Sequence, residues 1–226
     1  MTDSFEKLET RIGHHFKTPE LLKTALTHSS TGANENYERL EFLGDRVLGL
    51  VVAEMLYARF PQEKEGDLAR RLAALVQGSF LAKRSIDLEL GQYIAFSDGE
   101  AHAGGAENEH ILADVFESLI GALYLEAGFE KCQNLIHELW ADKLEVMKEP
   151  PLHPKTRIQE WAQSLGLALP AYEIIDQSGP DHAPVFKVEI QVAGYDRATA
   201  EGRSRQIAEK EAARAFLKML EEKGAI

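Results

Sequence analysis

The sequence predicts an all-helical domain followed by a small α+β domain of α-β-β-β-α order. Before residue 149, apolar residues recur at three- and four-residue spacing, which is typical of amphipathic helices. Three prolines then fall within residues 150–154, and such a run favours an extended connector over a helix. After the prolines, apolar and polar residues alternate as in half-buried strands, between two segments of helical spacing. We therefore predict domains at residues 1–148 and 155–223, joined by a linker at 149–154.

Each predicted element follows from its local spacing. In the first domain, the apolar pattern predicts helices at residues 20–28, 37–59, 67–89, 109–126 and 131–147. In the second domain, it predicts a helix, three strands and a helix at residues 155–165, 172–176, 185–192, 196–201 and 204–222. This order is that of a three-stranded antiparallel sheet covered by two helices.

Composition excludes several classes of protein. The chain has 226 residues, of which 44% are apolar and 27% charged, as in ordinary globular domains. Its one cysteine, Cys132, excludes an internal disulfide framework and a cysteine-rich zinc site. No run approaches 18 uncharged apolar residues, and the N-terminus lacks the basic start and apolar core of a signal peptide. We therefore expect no membrane span and a cytoplasmic location.

The negative charge is concentrated in the first domain. The net charge of −12 argues by itself against a nucleic-acid partner, because basic surface usually provides that affinity. From residue 153 onward, however, 10 Lys and Arg face 11 Asp and Glu, so nearly all of the negative excess lies earlier in the chain. The charge of the whole chain is therefore a poor guide to its partners.

Two of the predicted helices carry carboxylates among apolar residues. Glu38, Glu41 and Asp45 fall at i, i+3 and i+7 of the second predicted helix, so all three share one face. Asp114 and Glu117 share a face of the fourth predicted helix, which is otherwise nearly all apolar and has no Lys or Arg from residue 111 to 126. Ionised carboxylates buried without partners are costly, and neighbouring ones repel each other. Something must offset that cost.

A divalent cation would offset the cost, and oxygen-only ligands favour Mg²⁺ or Mn²⁺ over Zn²⁺. The alternative is that each carboxylate caps a helix or lies on a solvated face, which is the stronger interpretation for Glu38 alone or Glu65 alone. Four carboxylates in two apolar helices suit one or two Mg²⁺ ions, which also bind phosphate oxygens. The pattern thus indicates metal-assisted hydrolysis of a phosphodiester.

The second domain offers three elements that fit a nucleic-acid duplex. They are one face of its first helix, the turn at residues 179–182, and the basic N-terminus of its last helix, where unsatisfied N–H groups attract phosphate. Each has an ordinary explanation by itself, but together they match two minor grooves and the intervening phosphates of an A-form duplex. The candidate RNA-binding residues are Thr156, Gln159, Glu160, His182, Arg203, Ser204, Arg205 and Lys210.

Nearly the whole chain resembles bacterial ribonuclease III. The segment Glu38-Arg-Leu-Glu-Phe-Leu-Gly-Asp45 resembles the signature helix of that family, residues 25–29 its N-terminal motif, and residues 111–122 its second acidic helix. Residues 154–160 and 179–182 resemble the double-stranded RNA-binding domain that follows. A match to both domains in this order is highly specific.

The resemblance implies a set of site residues and a reaction. The carboxylates of Glu41, Asp45, Asp114 and Glu117 would hold the catalytic Mg²⁺, with Mn²⁺ as a substitute, and Asp45 and Glu117 would be catalytic. Glu38 and Glu65 would have auxiliary roles towards the substrate or the outer shell of the site. Phe42 would pack into a second copy in a homodimer of nuclease domains. The products would carry 5′-phosphates, 3′-hydroxyls and two-nucleotide 3′ overhangs, in ribosomal RNA maturation and mRNA processing or decay.

This sequence departs from the family pattern at two positions. Arg46 follows the signature aspartate, where the family often has Ser or Ala, and it could pair with a carboxylate or a phosphate. Gln206 takes the second place of a basic pair that usually reads Lys-Lys, which predicts somewhat weaker and less salt-sensitive binding. Neither residue is one of the four implied metal ligands.

Two other classes of function stay open at this point. A non-catalytic RNA-binding or ribosome-associated protein could keep the nuclease fold as a dimer scaffold, although it should then have lost metal carboxylates that this chain retains. A metal-dependent hydrolase of small phosphate compounds would leave the second domain without a purpose. The leading hypothesis is a Mg²⁺-dependent endoribonuclease that acts on double-stranded RNA.

Overall fold

The chain forms two compact units. The computed structural model describes residues 5–151, 153–180 and 183–226. The first unit ends at Pro151. It is helical, whereas the second unit combines helices with an antiparallel sheet, so the predicted fold class is confirmed. Within the described ranges, no helix combines the length and the apolar character needed to cross a membrane.

A nearly all-apolar helix, α7, forms the centre of the first unit. Eleven of its 19 residues are buried, and it packs against α2, α3, α5 and α8. The helices of this unit, within its described residues, are α1 (Glu6–Arg11), α2 (Pro19–Ala25), α3 (Glu38–Arg59), α4 (Glu65–Leu75), α5 (Gly78–Asp87), α6 (Asp98–His102), α7 (Glu109–Ala127) and α8 (Phe129–Val146). Helix α7 is buried because so few of its positions are polar.

Two glycines bring the backbones of α3 and α7 unusually close. A Cβ added to Gly44 of α3 would lie 1.7 Å from the carbonyl oxygen of Glu117, and one added to Gly121 of α7 would lie 2.2 Å from that of Leu40. Both distances are far below van der Waals contact, so only glycine fits at either position. The contact places the acidic faces of the two helices side by side.

Two predicted helices differ from the observed ones by more than two residues at an end. The helix predicted at residues 67–89 is two helices, α4 and α5, because Gln77 adopts an extended conformation (ψ 146°). The carbonyl of Leu75 at the end of α4 accepts a hydrogen bond from Trp140 Nε1 at 3.2 Å, a contact between residues 65 positions apart. The helix predicted at 20–28 ends at Ala25, because Thr27 then pairs with Ala95. In both places a contact with a residue distant in the sequence accompanies the end of the helix that local spacing would have continued.

Arg71 of α4 is completely buried and holds the end of the first unit in place. Its guanidinium binds both carboxylate oxygens of Glu63, at 2.7 and 2.5 Å, and lies 3.7 Å from the ring centroid of Phe60. It also donates to the carbonyls of Met147 and Lys148, at 3.0 and 3.2 Å. Every charge in this group is therefore paired, as buried ions require.

The second unit is a three-stranded sheet with two helices. It comprises α9 (Pro154–Ser164), β1 (Ala171–Ser178), β2 (Val185–Gln191), β3 (Ala198–Gly202) and α10 (Arg205–Glu222). The strands are antiparallel in the order β1-β2-β3. Helix α9 begins at Pro154, inside the segment predicted as linker, because proline suits the first position of a helix. Trp161 Nε1 donates to the carbonyl of Ala225 at 3.3 Å, so contacts continue beyond residue 223.

Candidate metal centre and nucleic-acid interface

Helices α3 and α7 bring together three of the four carboxylates implied as metal ligands. One carboxylate oxygen from each of Glu41, Asp114 and Glu117 lies within 4.8 Å of the other two. All three side chains are half-buried. The three carboxylates come from two helices, and the glycine contact described above holds those helices together.

Burial and mutual repulsion both act on these carboxylates. Burial, followed by the charges of Asp45, Glu41 and Asp114, raises the pKa of Glu117 to about 8, although Arg46 opposes the shift. The pKa of Glu41 is raised by burial and then by its acidic neighbours. Burial also raises the pKa of Asp114. The centre therefore resists carrying its full negative charge without a cation.

The donors of this centre fit a hard divalent cation. All of them are carboxylate oxygens, which Mg²⁺ and Mn²⁺ prefer. Within the described part of the chain, no Lys or Arg forms an ion pair with Glu41, Asp114 or Glu117, whereas many other carboxylates of the protein have such a partner. Uncompensated negative charge in a half-buried place is the condition that a bound cation relieves.

Asp45 lies outside this group of three. Its carboxylate forms an ion pair with the neighbouring Arg46, whose guanidinium carbon is 5.5 Å from the centroid of the Phe42 ring. Asp45 is still close enough to raise the pKa of Glu117. Arg46 thus pairs with a carboxylate here, and the role of Asp45 as a fourth ligand stays a prediction.

The two auxiliary carboxylates lie in different surroundings. Glu38, at the start of α3, is exposed, and its charge contributes to the raised pKa of Glu41. Glu65 is not part of the three-carboxylate group and instead lines a mostly apolar groove of about 200 Å³ between α3 and α4. The other residues lining that groove are Ala53, Leu56, Leu68, Ala69 and Leu72.

Two side chains beside Asp114 were not identified as site residues from the sequence. Tyr37 is buried, and its pKa is raised to about 12 by burial and then by Asp114, Glu41 and Glu38. The ring of His28 stacks on that of Tyr37, with centroids 5.4 Å apart. Together with His110, which has the larger effect, both lower the pKa of Asp114 and so partly oppose its burial. The available signals were the N-terminal motif, which contains His28, and the position of Tyr37 directly before Glu38.

In the second unit, the candidate RNA-binding residues of α9 lie on its exposed side. Thr156, Gln159 and Glu160 are exposed, whereas Ile158 between them is buried in the core. His182 falls outside the described residues. The three exposed side chains are free to meet a groove of a duplex, because the apolar side of the helix is used for packing.

The start of α10 has the predicted cap. Ser204 Oγ accepts a hydrogen bond from the N–H of Ile207 at 3.2 Å. Arg203 and Arg205 beside it are exposed, and Lys210 is half-buried on the second turn. A capped helix N-terminus with flanking cations is suited to phosphate.

The first turn of α9 adds positive charge to this end of the unit. Burial, followed by Lys210, Lys155 and Arg214, lowers the pKa of His153. The ammonium of Lys155 lies 4.6 Å from the ring centroid of Tyr172. Cations of α9 and α10 therefore both act on His153, so they lie at the same end of the unit. Lys155 was not among the RNA-binding residues predicted from the sequence.

Comparison with known proteins separates the same two parts of the chain. A family model described as Ribonuclease-III-like matches residues 18–144, more than half of the chain. A second model, described as a double-stranded RNA binding motif, matches residues 154–220. The first contains the acidic centre and the second contains the basic surface of α9 and α10.

Similar proteins match over nearly the full length. Ribonuclease 3 of Azorhizobium caulinodans is 46% identical over 221 residues, which cover 96% of this chain and 94% of the relative. Ribonuclease 3 of Caulobacter vibrioides is 49% identical over 215 residues, or 93% of each chain. The nuclease domain of ribonuclease III from Campylobacter jejuni superposes with a TM-score of 0.61 at 44% identity, covering 63% of this chain and 99% of that domain. Together with the acidic centre and the duplex-binding fold, these matches show that the chain belongs to the ribonuclease III family and is an endoribonuclease of double-stranded RNA.

Proposed function

We propose that the chain hydrolyses duplex RNA with Mg²⁺ held by Glu41, Asp114 and Glu117, with Asp45 as a fourth ligand. The observation that carries this proposal is the group of three half-buried carboxylates whose oxygens lie within 4.8 Å of one another and which form no ion pair with Lys or Arg in the described chain. Mn²⁺ has the same preference for oxygen ligands and is expected to substitute. Asp45 and Glu117 are the proposed catalytic residues, and Glu38 and Glu65 have auxiliary roles.

A divalent cation at this place would supply a hydroxide nucleophile at neutral pH and stabilise the leaving oxygen. The protein's own part is to assemble the carboxylates and to give up protons. Burial and its acidic neighbours raise the pKa of Glu117 to about 8, and this carboxyl group must be deprotonated to act as a ligand. His110, His28 and Tyr37 lower the pKa of Asp114 and so favour its ionised form, which a metal ligand requires.

The proposed products carry 5′-phosphates, 3′-hydroxyls and two-nucleotide 3′ overhangs, because two centres in a homodimer would each cut one strand. Phe42 supports such a dimer, since this large apolar side chain is 68% exposed on α3. The similar domain from Campylobacter jejuni is described as flexible in a region involved in dimer formation. The groove lined by Glu65 is apolar enough to accept an aromatic side chain of a second copy.

The second unit is proposed to hold the duplex. Exposed Thr156, Gln159 and Glu160 would meet one minor groove, and His182, which lies between β1 and β2 in the sequence, would meet the next. The phosphates between the grooves would bind at the start of α10, through Arg203, Ser204, Arg205 and Lys210. We further propose ribosomal RNA precursors and mRNA in the cytoplasm as the substrates, because the chain belongs to the ribonuclease III family.

The test is cleavage of a long RNA duplex with Mg²⁺, with Mn²⁺ and with EDTA. We expect short duplexes with 3′ overhangs only when a divalent cation is present. The variant Glu117→Gln should bind the duplex but cut it at least about a thousandfold more slowly, because it loses a ligand carboxylate. The variant Glu109→Gln, which makes the same charge change at an exposed position of the same helix, should cut normally. Equal rates for Glu117→Gln and the wild type would refute the metal assignment.

A further inference from the structure

Glu209 is a buried carboxylate that binds two cations from two different helices. Its side chain is 10% exposed and lies on the second turn of α10. Its Oε2 accepts a hydrogen bond from Lys155 Nζ of α9 at 2.7 Å, and its Oε1 accepts one from Arg205 Nε of α10 at 2.8 Å. Each oxygen thus holds a different cation.

The two cations compensate the burial of this carboxylate. Burial by itself raises the pKa of Glu209, but the hydrogen bonds and charges of Lys155 and Arg205 outweigh that effect and lower it. The carboxylate is therefore ionised at neutral pH. A fully ionised, nearly buried group with two partners has one well-defined position, and so have the partners bound to it.

The geometry leaves the cations available to a ligand. Arg205 uses its Nε–H for Glu209, and among the described residues neither Nη group has a protein partner. Those two groups form the fork that binds phosphate oxygens in pairs, and the Arg205 side chain is 63% exposed. The Lys155 side chain is 37% exposed and is held between Glu209 and the ring of Tyr172.

We propose that Glu209 is a positioning residue that presents Arg205 and Lys155 together to the phosphates of duplex RNA. Lys155 thereby becomes a further RNA-binding residue. The three groups together carry a net charge of +1, so the unit attracts phosphate although it contains a carboxylate. Ordering both long side chains before binding reduces the entropy that binding must remove. This inference rests on the proposed contact between Arg205 and RNA.

An opposite role for Glu209 makes an opposite prediction. If the carboxylate only neutralised its neighbours, its removal would free one positive charge and strengthen binding to the polyanion. If it positions them, its removal weakens binding despite the more favourable charge. The sign of the change in affinity therefore separates the two.

The experiment measures the affinity of the full-length chain for a duplex RNA of about 20 base pairs, longer than the roughly 16 that such a domain spans. It is run in EDTA, so that no cleavage occurs, at several salt concentrations. For Glu209→Gln we expect a dissociation constant about three- to tenfold higher and a salt slope smaller by about one phosphate contact. Unchanged or tighter binding would overturn the proposal.

The matched control is Glu211→Gln. It makes the same charge change on the same helix, but Glu211 pairs with Arg214 and contacts neither Lys155 nor Arg205. We expect its affinity to stay within about twofold of the wild type, since surface pairs of this kind contribute little. An equal loss in both variants would overturn the positioning role.

A double-mutant cycle separates this inference from the proposed function. Replacing both cations, Lys155→Ala with Arg205→Ala, should weaken binding, and adding Glu209→Gln to that pair should then have no further effect. If the cation variant itself binds normally, the proposed RNA contact is wrong and the inference falls with it. If the cation variant is weak but Glu209→Gln binds like the wild type, only the inference fails. If Glu209→Gln still weakened binding in the variant that lacks Lys155 and Arg205, the substitution would be damaging the fold in general. That result would overturn the positioning role of Glu209.

Discussion

The two units of this protein bury carboxylates in opposite ways. In the first, Glu41, Asp114 and Glu117 face one another without an ion pair to a basic side chain among the described residues, and their pKa values are raised. In the second, Glu209 is shared by two cations and its pKa is lowered. The difference indicates what each place is for. A carboxylate paired within the fold organises other side chains, whereas uncompensated carboxylates need a cation from outside.

The same contrast exists within the first unit. Arg71 and Glu63 form a buried pair that is complete without any ligand, and the nearby carbonyls of Met147 and Lys148 accept two of the three remaining guanidinium hydrogens. The three-carboxylate centre has no comparable set of ion pairs and hydrogen bonds among the described residues. Both places bury charged groups. The structural pair has its counter-charge within the chain, whereas the candidate metal centre does not.

Breaking the paired group should have the largest effect on stability. Arg71→Met keeps the apolar contact with Phe60 but leaves Glu63, which is 21% exposed, without its cation. Removing one partner of a buried pair costs about 3–5 kcal/mol. Urea unfolding monitored by circular dichroism measures this loss. The double variant Arg71→Met with Glu63→Gln should recover part of it, and a single variant as stable as the wild type would contradict the assignment.

Separating the two acidic helices should have the next largest effect. Gly44→Ala places a Cβ 1.7 Å from the carbonyl oxygen of Glu117, so α3 and α7 must move apart. We expect a loss of about 3 kcal/mol in the free energy of unfolding, together with loss of cleavage. Gly49→Ala, on the same helix with nothing within 4 Å, should instead stabilise the protein by up to about 1 kcal/mol. Equal stability of the two variants would show that the close contact is not required.

Neutralising one carboxylate in each unit should give small changes of opposite sign. In metal-free protein, Glu117→Gln removes a carboxyl group whose ionisation the fold opposes, and solvent screening of this half-buried group limits the gain to about 1 kcal/mol, or about 2–4 °C in Tm. Glu209→Gln removes a compensated charge and should lower the free energy of unfolding by a similar amount. Calorimetry in EDTA measures the change in stability of both variants. Changes of the same sign would contradict the proposed difference between the two units.

The dependence of that small gain on pH gives the sharpest version of the comparison. The pKa of Glu117 is raised from 4.5 to about 8, so the folded state keeps a proton that the unfolded state has lost. The stability of the metal-free wild type should therefore fall as pH rises from about 4.5 to about 8. Glu117→Gln should remove this part of the decline, and Mg²⁺ should stabilise the wild type more than the variant, which has lost one ligand. Parallel pH profiles of the two proteins would contradict the raised pKa.

Local patterns were sufficient for most of the fold. The helical spacing of α3 and α7 and the alternation in β2 depend on neighbours a few positions away, which the sequence displays directly. The break between α4 and α5 was missed because apolar spacing continues through it. At that break the carbonyl of Leu75 accepts a hydrogen bond from Trp140, a residue far away in the chain.

The sequence by itself determined the family, the order of the two domains and the two helices that carry the acidic residues, because these are properties of spacing along the chain. Only the tertiary structure decided which charges meet. It grouped Glu41 with Asp114 and Glu117, paired Asp45 with Arg46, and joined Lys155 to Glu209. Apart from the Asp45–Arg46 pair of neighbours, these meetings depend on the packing of one helix against another. The packing of helices that are distant in the sequence depends on side-chain sizes and on glycines such as Gly44. It therefore cannot be predicted from the spacing of neighbouring residues.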